Sequence, residues 1–494
     1  MINFVIKSPT LAEIHCTPAE LKALEKELSY KNMSAHYEYN KHMQRKWMER
    51  KDPEGFLLQA QELKDQINQN LVFYIRENPH TYPGIIPYIT IEHSVSNYTV
   101  DYPKFKPIPW AKPLPFDLYP YQKEAVEKLM DIKHGHISVG TGLGKTAILL
   151  MIARNAGLRV VVSTPSQSIF SELMVFFQKH LGKGKVGGYG DGKKDLKAPI
   201  TIAIGRSLSM LKEGTKAWDF FAEKQMLLVD EAHTFGAEEL DRTCHGALKD
   251  IPYRMFVSGT QVRNDGKQIL LNSIIGPCVL EMGVEEGINK GFLCPLKFKI
   301  LHVISPSTRT FKDPIECKRE HFLRNPNIAE LAAKIANASW NVKQESTLIL
   351  VEELGQIAML QKLIKVPMAY AHSASKKDAE EWGLQSVDKQ ESIEKFNSGE
   401  VKVLVGTSCV STGINLFCTH NTINFVGGAS EVVTLQGTVG RSTRKLENSQ
   451  YKDLHKPKPY SLIFDFEVSG QPILQRQLEK RIEFYQETGE TVVY

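Results

Sequence analysis

Between Leu118 and Pro295 the chain alternates short apolar runs with helical stretches. The runs HISV, RVVVSTP, TIAI and MLLVDEAH are each followed by a helical segment, a pattern that predicts parallel α/β units. Periodicity weakens from Leu296 to Glu330, and a second series then begins: STLILVEE, VPMAYAHS, VKVLVGTS, NTINFVGG and YSLIFDF. With helices between them, these runs predict a second parallel sheet. Residues 1 to about 112 differ, being rich in Tyr and Asn and leaving through YPKFKPIPWAKPLPF, Tyr102 to Phe116. Each Pro there pushes its predecessor out of the helical region, so the segment reads as an extended linker. The fold class expected is α/β: two parallel-sheet domains in tandem, 113–295 and 296–494, behind a small α+β domain at 1–112. No repeat of fixed period and no low-complexity tract occurs, so the two sheets are alike in architecture and not in sequence.

Composition narrows the class. With 494 residues, 42% hydrophobic and 24% charged, the chain is neither disordered nor fibrous. A net charge of +5 is compatible with a nucleic-acid partner without establishing one. Seven scattered cysteines with no C-x-x-C spacing suggest neither a disulfide framework nor a zinc ribbon, so a reducing compartment is the default. The first residues, MINFVIKSPT, lack the pattern of a signal peptide, and the expected location is the cytoplasm, that of a bacterial host if the source is a phage.

The segment SVGTGLGKT sets Gly140, Thr141, Gly142, Leu143 and Gly144 before Lys145 and Thr146, between HISV and the apolar helix AILLMIAR. Glycines let backbone N–H groups turn toward phosphate oxygens, and the helix N-terminus adds about half a positive charge. Lys145 is expected at the β- and γ-phosphates and the Thr146 hydroxyl on Mg2+. The strict G-x-x-x-x-G-K-[ST] pattern fails only at its first position, Val139. A second apolar run ends in Asp230, Glu231, Ala232 and His233. Carboxylates ending a buried strand are costly unless they bind something, so Asp230 is expected to hold the metal and Glu231 to polarise the attacking water.

The order of these motifs resembles the superfamily-two DNA helicases and translocases in their D-E-A-H form, over roughly Leu118 to the end of the chain. The resemblance implies two RecA-like domains with ATP held between them. In LYPYQKEAV it implies that Gln122 grips the adenine edge with Tyr119 or Tyr121 beside it. Ser258, Gly259 and Thr260 stand where the family has a coupling S-A-T, and His233 shares that coupling role. TLILVEE from Thr347 is similar to motif IV, and VGTSCVSTGIN, Val405 to Asn415, to motif V, with Gly413 and Asn415 at the nucleotide. QGTVGRSTR, Gln436 to Arg444, resembles motif VI. If that segment is helical, Arg441 and Arg444 share a face and can reach the γ-phosphate, an effect on the order of 10³ to 10⁵ in rate. Nucleic-acid grips are expected at strand ends: Thr164 and Pro165, Gly205 and Arg206, His372 and Ser373, and Thr407. Each of these could equally be a helix cap.

Two features favour DNA over RNA. GINKGFLCP, Gly287 to Pro295, resembles the inter-domain segment of DNA-repair and restriction-type members, and the layout behind a hundred-residue first domain looks like that of phage branch-migration helicases. The partner expected is therefore forked or branched DNA, acted on by a monomer, with an RNA helicase or a nucleotide-gated clamp as alternatives. KHMQRKWMERK carries Lys41, Arg45, Lys46, Arg50 and Lys51 around Trp47, either a duplex-binding stretch or a solvated helix with Trp47 in the core. Gly182 to Lys197, GKGKVGGYGDGKKDLK, is a second basic candidate, otherwise a flexible loop. Asp52, Glu62 and Lys64 mimic a nuclease spacing, but Leu57 to Asn70 reads as helix whereas that chemistry needs a strand.

Overall fold

The computed structural model describes all residues except 31–32, 45–51, 69–70, 73–79, 98–99, 236, 260–267, 386, 408–415, 430–439, 487, 489–491 and 494. By its contacts the chain forms two compact units, Met1–Val139 with Lys145–Glu281, and Gly140–Gly144 with Met282–Tyr494.

The first unit opens with a small sheet of order β5-β2-β1-β6, built from β1 (Ile2–Ser8), β2 (Leu11–His15), β5 (His80–Thr81) and β6 (His93–Asn97). A two-stranded ladder, β3 (Ser29–Tyr30) with β4 (Leu71–Val72), accompanies it. The helix Pro18–Glu27 starts at Thr17, whose side chain accepts from the Glu20 N–H while Glu20 accepts from the Thr17 N–H, a reciprocal cap. Phe4, Ile14, Leu24, Ile85 and Ile86 form the core of this part. Its short 3-10 helix, Pro83–Tyr88, lies so close to the helix Gln268–Ile275 that a methyl on Gly84 would sit 2.3 Å from the Ser273 carbonyl. Tyr82 donates to Asp241 at 2.8 Å and stacks on His245 at 3.9 Å, and Tyr88 donates to the Gly276 carbonyl at 2.9 Å.

The proline-rich exit is extended as expected, with no regular element between Asp101 and Ala111. It is tied down rather than loose. The Lys106 and Ile108 N–H groups donate to Ala156 and Arg154, and Ala111 to His180, so the linker satisfies carbonyls that two helix C-termini leave open.

The main sheet of this unit has eight strands: β7 (His134–Val139), β8 (Val160–Thr164), β9 (Val186–Gly190), β10 (Lys193–Lys194), β11 (Ile200–Ile204), β12 (Met226–Val229), β13 (Tyr253–Ser258) and β14 (Cys278–Met282). Their order is β10-β9-β11-β8-β12-β13-β7-β14, with parallel pairing of β9, β11, β8, β12, β13 and β7 and an antiparallel β9–β10 pair. Every residue of β8, β12 and β13 is buried, so β8 and β12 open on unbroken apolar runs rather than alternating ones, whereas β13 carries the buried Arg254.

The second unit carries seven strands in the order β17-β18-β16-β19-β20-β15-β21. They are β15 (Leu296–Ile304), β16 (Thr347–Leu350), β17 (Met368–Ala371), β18 (Val403–Gly406), β19 (Asn421–Asn424), β20 (Ser461–Ser469) and β21 (Val492–Val493). All are paired in parallel. Ile349, Val403, Val405 and Ile423 face one apolar layer, and Leu348, Leu350 and Leu404 face another, so successive residues feed helices on both sides. The nine runs singled out above are strands. The region from Leu296, where periodicity weakens, holds β15, whose burial alternates because Lys297, Lys299 and His302 turn outward. The basic stretch after Gly182 is no loop throughout: β9 and β10 form a hairpin in it.

Candidate active site

β7 ends at Val139, and the helix Lys145–Ala156 follows after five residues. Gly142 at φ +90° and Gly144 at φ +78° occupy a backbone region costly to any residue with a Cβ. Inside the second unit, to which this turn belongs, a methyl on Gly142 would meet Thr443 Oγ1 at 3.0 Å. Thr141 and Thr146 are half-buried and Leu143 is buried.

In the first unit a buried polar chain starts at Lys145. Its Nζ donates to the Val139 carbonyl at 3.3 Å and pairs with Glu231 Oε1 at 3.1 Å. Glu231 Oε2 lies 3.5 Å from His233 Nδ1, which is 2.8 Å from Ser258 Oγ at the end of β13. Glu231 reaches this position with φ +48°, a left-handed conformation unusual for Glu and of the kind that strained functional sites tolerate. Asp230 is buried, and its Oδ1 accepts the Glu231 N–H at 3.0 Å. Loss of solvent, then the Glu231 charge, push the Asp230 carboxyl up to about 7, against the opposing pull of Lys145. A methyl on Gly259 of Ser258-Gly259-Thr260 would stand 3.2 Å from Lys145 Nζ, so that ammonium would have to shift by a few tenths of an ångström to admit it. Thr260 lies outside the described residues.

Gln122 is buried and uses its Oε1 to accept the Tyr119 N–H at 2.9 Å, at the start of the helix Pro120–Ile132; the rings of Tyr119 and Tyr121 are near-parallel, 6.0 Å apart. The strand-end segments fall side by side within each unit. Thr164 pairs with Ile204, the residue before Gly205, and Ala371, before His372, pairs with Gly406, before Thr407. Arg206 and Ser373 are exposed, Pro165 and Thr407 half-buried, Thr164 and His372 buried. Gly205 has a packing reason to be glycine, since a Cβ there would fall 2.1 Å from the Phe235 ring.

Arg441 is buried in a helical stretch whose described residues are Gly440–Ser442, and Arg444 lies beyond its end. The shared helical face expected of the two arginines is therefore not how they are arranged. Tertiary donors replace helical ones: the Thr443 carbonyl accepts from the Cys294 N–H at 2.6 Å and the Arg444 carbonyl from Lys458 Nζ at 2.8 Å. Lys458 was not among the candidates, and the second of two lysines in KPKPY offers no signal in sequence. Gln436, Gly413, Asn415 and Arg45 to Lys51 lie outside the described residues. Leu57 sits in the helix Pro53–Asn68, as the dismissal of a nuclease requires. Among the described residues no cluster of three metal-ligating side chains exists, six cysteines are free, and no helix is long and apolar enough to cross a membrane.

A glycine turn feeding a lysine to a strand-end acidic pair, followed by a second parallel sheet bearing arginines, defines a nucleotide-hydrolysing motor with two RecA-like domains. Residues 115–262 match the family described as "Type III restriction enzyme, res subunit", and residues 329–445 the helicase conserved C-terminal domain. The DNA 3'-5' translocase XPB2 of Sulfurisphaera tokodaii is 25% identical over 61% of this chain and 72% of its own length. The type ISP restriction-modification enzyme LlaBIII bound to DNA is similar in structure, with TM-score 0.52 at 12% identity over 77% of this chain and 31% of its own. UvsW of phage T4 has TM-score 0.44 at 14% identity over 99% of this chain and 98% of its own. The chain belongs to the superfamily-two DNA helicases and translocases, enzymes that act on DNA at the expense of ATP.

Proposed function

We propose that this chain is a monomeric, cytoplasmic motor that unwinds or branch-migrates forked and junction DNA in replication, recombination or repair. Its working parts are a DNA-binding domain at 1–112, an ATP-binding domain at 113–295 and a second motor domain at 296–494. The observation that carries the reading is the buried chain from Lys145 through Glu231 and His233 to Ser258.

In the resting site Lys145 neutralises Glu231. When nucleotide arrives, the ammonium moves to the β- and γ-phosphates, and Glu231 Oε1 is released to accept a proton from the attacking water. Thr146 and Asp230 would hold Mg2+, which would offset the negative charge of the phosphates. One buried carboxylate and one hydroxyl fit this ion, which keeps several waters and binds mainly through substrate phosphates. Gln122 and Tyr119 meet the base, and Gly413, Asn415 and Gln436 line the nucleotide. Arg441 and Arg444 stabilise the charge that develops on the γ-phosphate. His233 reports the state of Glu231 to Ser258 and Thr260, and thence to the strand-end grips.

The name of the archaeal relative, a DNA 3'-5' translocase, supports DNA as the track and 3'-to-5' as the direction. The test is ATP turnover with single-stranded, tailed duplex, forked, four-way and RNA ligands, together with strand displacement on the same set. Forks and four-way junctions should stimulate turnover most and be resolved. A larger response to RNA would replace the reading with an RNA helicase, and turnover without displacement would leave a clamp.

A further inference from the structure

The hairpin formed by β9 and β10 at the edge of the eight-stranded sheet is a built element. Lys193 pairs with Gly190 and Lys194 with Tyr189, leaving Asp191 at φ +52° and Gly192 at φ +75° as the two turn residues. An Asp-Gly pair with both φ values positive is the turn whose twist matches the flanking strands. Gly187 and Gly188 let the returning strand close down: a methyl on Gly187 would fall 2.4 Å from Asp195 Oδ2, and one on Gly188 would fall 3.1 Å from Lys193 Cδ.

The acidic residues of the segment are used up internally. Asp195 accepts the N–H groups of Lys197 and Ala198, and Asp191 accepts from Gln167 Nε2 at 2.5 Å. The basic ones have no carboxylate partner among the described residues, although Lys193 Nζ lies over the Phe170 ring at 5.4 Å from its centre. Lys183, Lys193, Lys194 and Lys197 are exposed, and among the described residues none of them forms an ion pair with a carboxylate. The location matters as much as the charge. The Asp191–Gln167 bond puts the tip beside the segment after Thr164 and Pro165, and Gly190 backs on to Ile204, the residue before Gly205 and the exposed Arg206.

We propose that this hairpin is a phosphate-binding arm for DNA, in which Lys193 and Lys194 at the tip extend the strand-end contact of the exposed Arg206 along the edge of the sheet, with Lys197 and Lys183 continuing the strip. The inference rests on the reading of the chain as a DNA motor and adds to it a surface and its partner. Lysines on compact ammonium heads suit a backbone read without regard to sequence. Edge lysines also deter a free strand from pairing with another chain. That role does not require a preformed turn next to Arg206.

The test compares the wild type with the double variant Lys193→Gln, Lys194→Gln, using a labelled tailed duplex of arbitrary sequence at several salt concentrations. Each phosphate contact releases about 0.9 counterion, so affinity at 0.1 M salt should fall roughly tenfold per lysine, and the slope of log affinity against log salt should flatten by about 2. Turnover without DNA should be unchanged, and Lys193→Arg with Lys194→Arg should bind like wild type. A Gln variant with unaltered affinity and slope overturns the arm while DNA-stimulated turnover keeps the motor, as does one that only self-associates. A wild type that DNA does not stimulate at all removes the motor reading itself.

Discussion

The two parallel sheets hold their chemistry by different means. In the first unit the working side chains hold one another: Lys145, Glu231, His233 and Ser258 form a chain of contacts from 2.8 to 3.5 Å, all at the ends of three neighbouring strands. In the second unit the arginine segment is held by its backbone, through the Cys294 N–H on Thr443 and Lys458 on Arg444. The first arrangement keeps charges satisfied before any ligand arrives. The second fixes where the main chain runs at Thr443 and Arg444. The difference teaches that a site can be preorganised either through its functional groups or through the path of the main chain.

The sharpest way to break the comparison is to remove one cation from each side. Lys145→Ala should abolish turnover, by at least about 10³-fold, and weaken nucleotide binding, because that ammonium serves ground state and transition state alike. Arg444→Ala should slow hydrolysis by on the order of 10³ while binding stays nearly intact. Fluorescent-nucleotide titration beside steady-state turnover separates the two outcomes. Equal loss of binding in both would contradict the split.

A smaller effect is expected away from the nucleotide. Asp465 and Arg481 form a buried bidentate pair at 2.7 and 2.9 Å, joined by the Tyr485 hydroxyl at 2.7 Å and by Asn424 at 3.2 Å. Arg481 also donates to the Gly428 carbonyl at 2.5 Å, so this network ties the last long helix, Pro472–Gln486, to the chain leading toward the arginine segment. Arg481→Met strands the Asp465 carboxylate, and breaking such a pair costs roughly 3–5 kcal/mol. Thermal unfolding should fall by about 10 °C, at roughly 2–4 °C per kcal/mol for a unit of this size. An unchanged melting temperature would mean the network carries no net stability.

The same contrast explains what was legible in sequence. Lys145, Asp230 and Glu231 were readable because a strand, a turn and a helix are local, and each motif lies within a few residues of a buried apolar run. β13 was harder to see, since YRMFVS carries Arg254 as its second residue. That guanidinium is buried and donates to the carbonyls of Leu248 and Cys244 at 2.9 Å, partners that only the folded chain supplies. β15 was hidden by its alternation, which marks a strand with one wetter face and not an irregular region. In the basic hairpin the Asp191-Gly192 pair was a turn signal, but glycines on both sides of it read as flexibility until the Asp195 and Lys193 contacts gave them a reason. Arg444 shows the opposite limit: a face shared with Arg441 depended on the segment being helical as far as Arg444, which lies beyond the end of the helix.

Lys458 offers the smallest and most direct test of main-chain positioning. It is buried, and loss of solvent, the dominant influence, draws its ammonium down from 10.5 to about 8, while its Nζ donates to the Arg444 carbonyl at 2.8 Å. Below about pH 8 both folded and unfolded chains carry this proton, and the full cost of burying the charge is present. Between about pH 8 and 10.5 the unfolded chain still binds the proton that the folded chain has released, so this group makes stability rise with pH across that window, by at most on the order of 3 kcal/mol. Lys458→Met removes the titration and the donor together. Other alkaline titrations are common to both proteins and cancel in their difference. The variant should therefore gain stability relative to wild type at pH 7 compared with pH 10, as read by melting temperature across that range. If the donor also sets the path of the main chain at Arg444, the variant should lose turnover at pH 7 with nucleotide affinity unchanged, whereas Lys458→Met acting only through stability would leave turnover per folded molecule as it was.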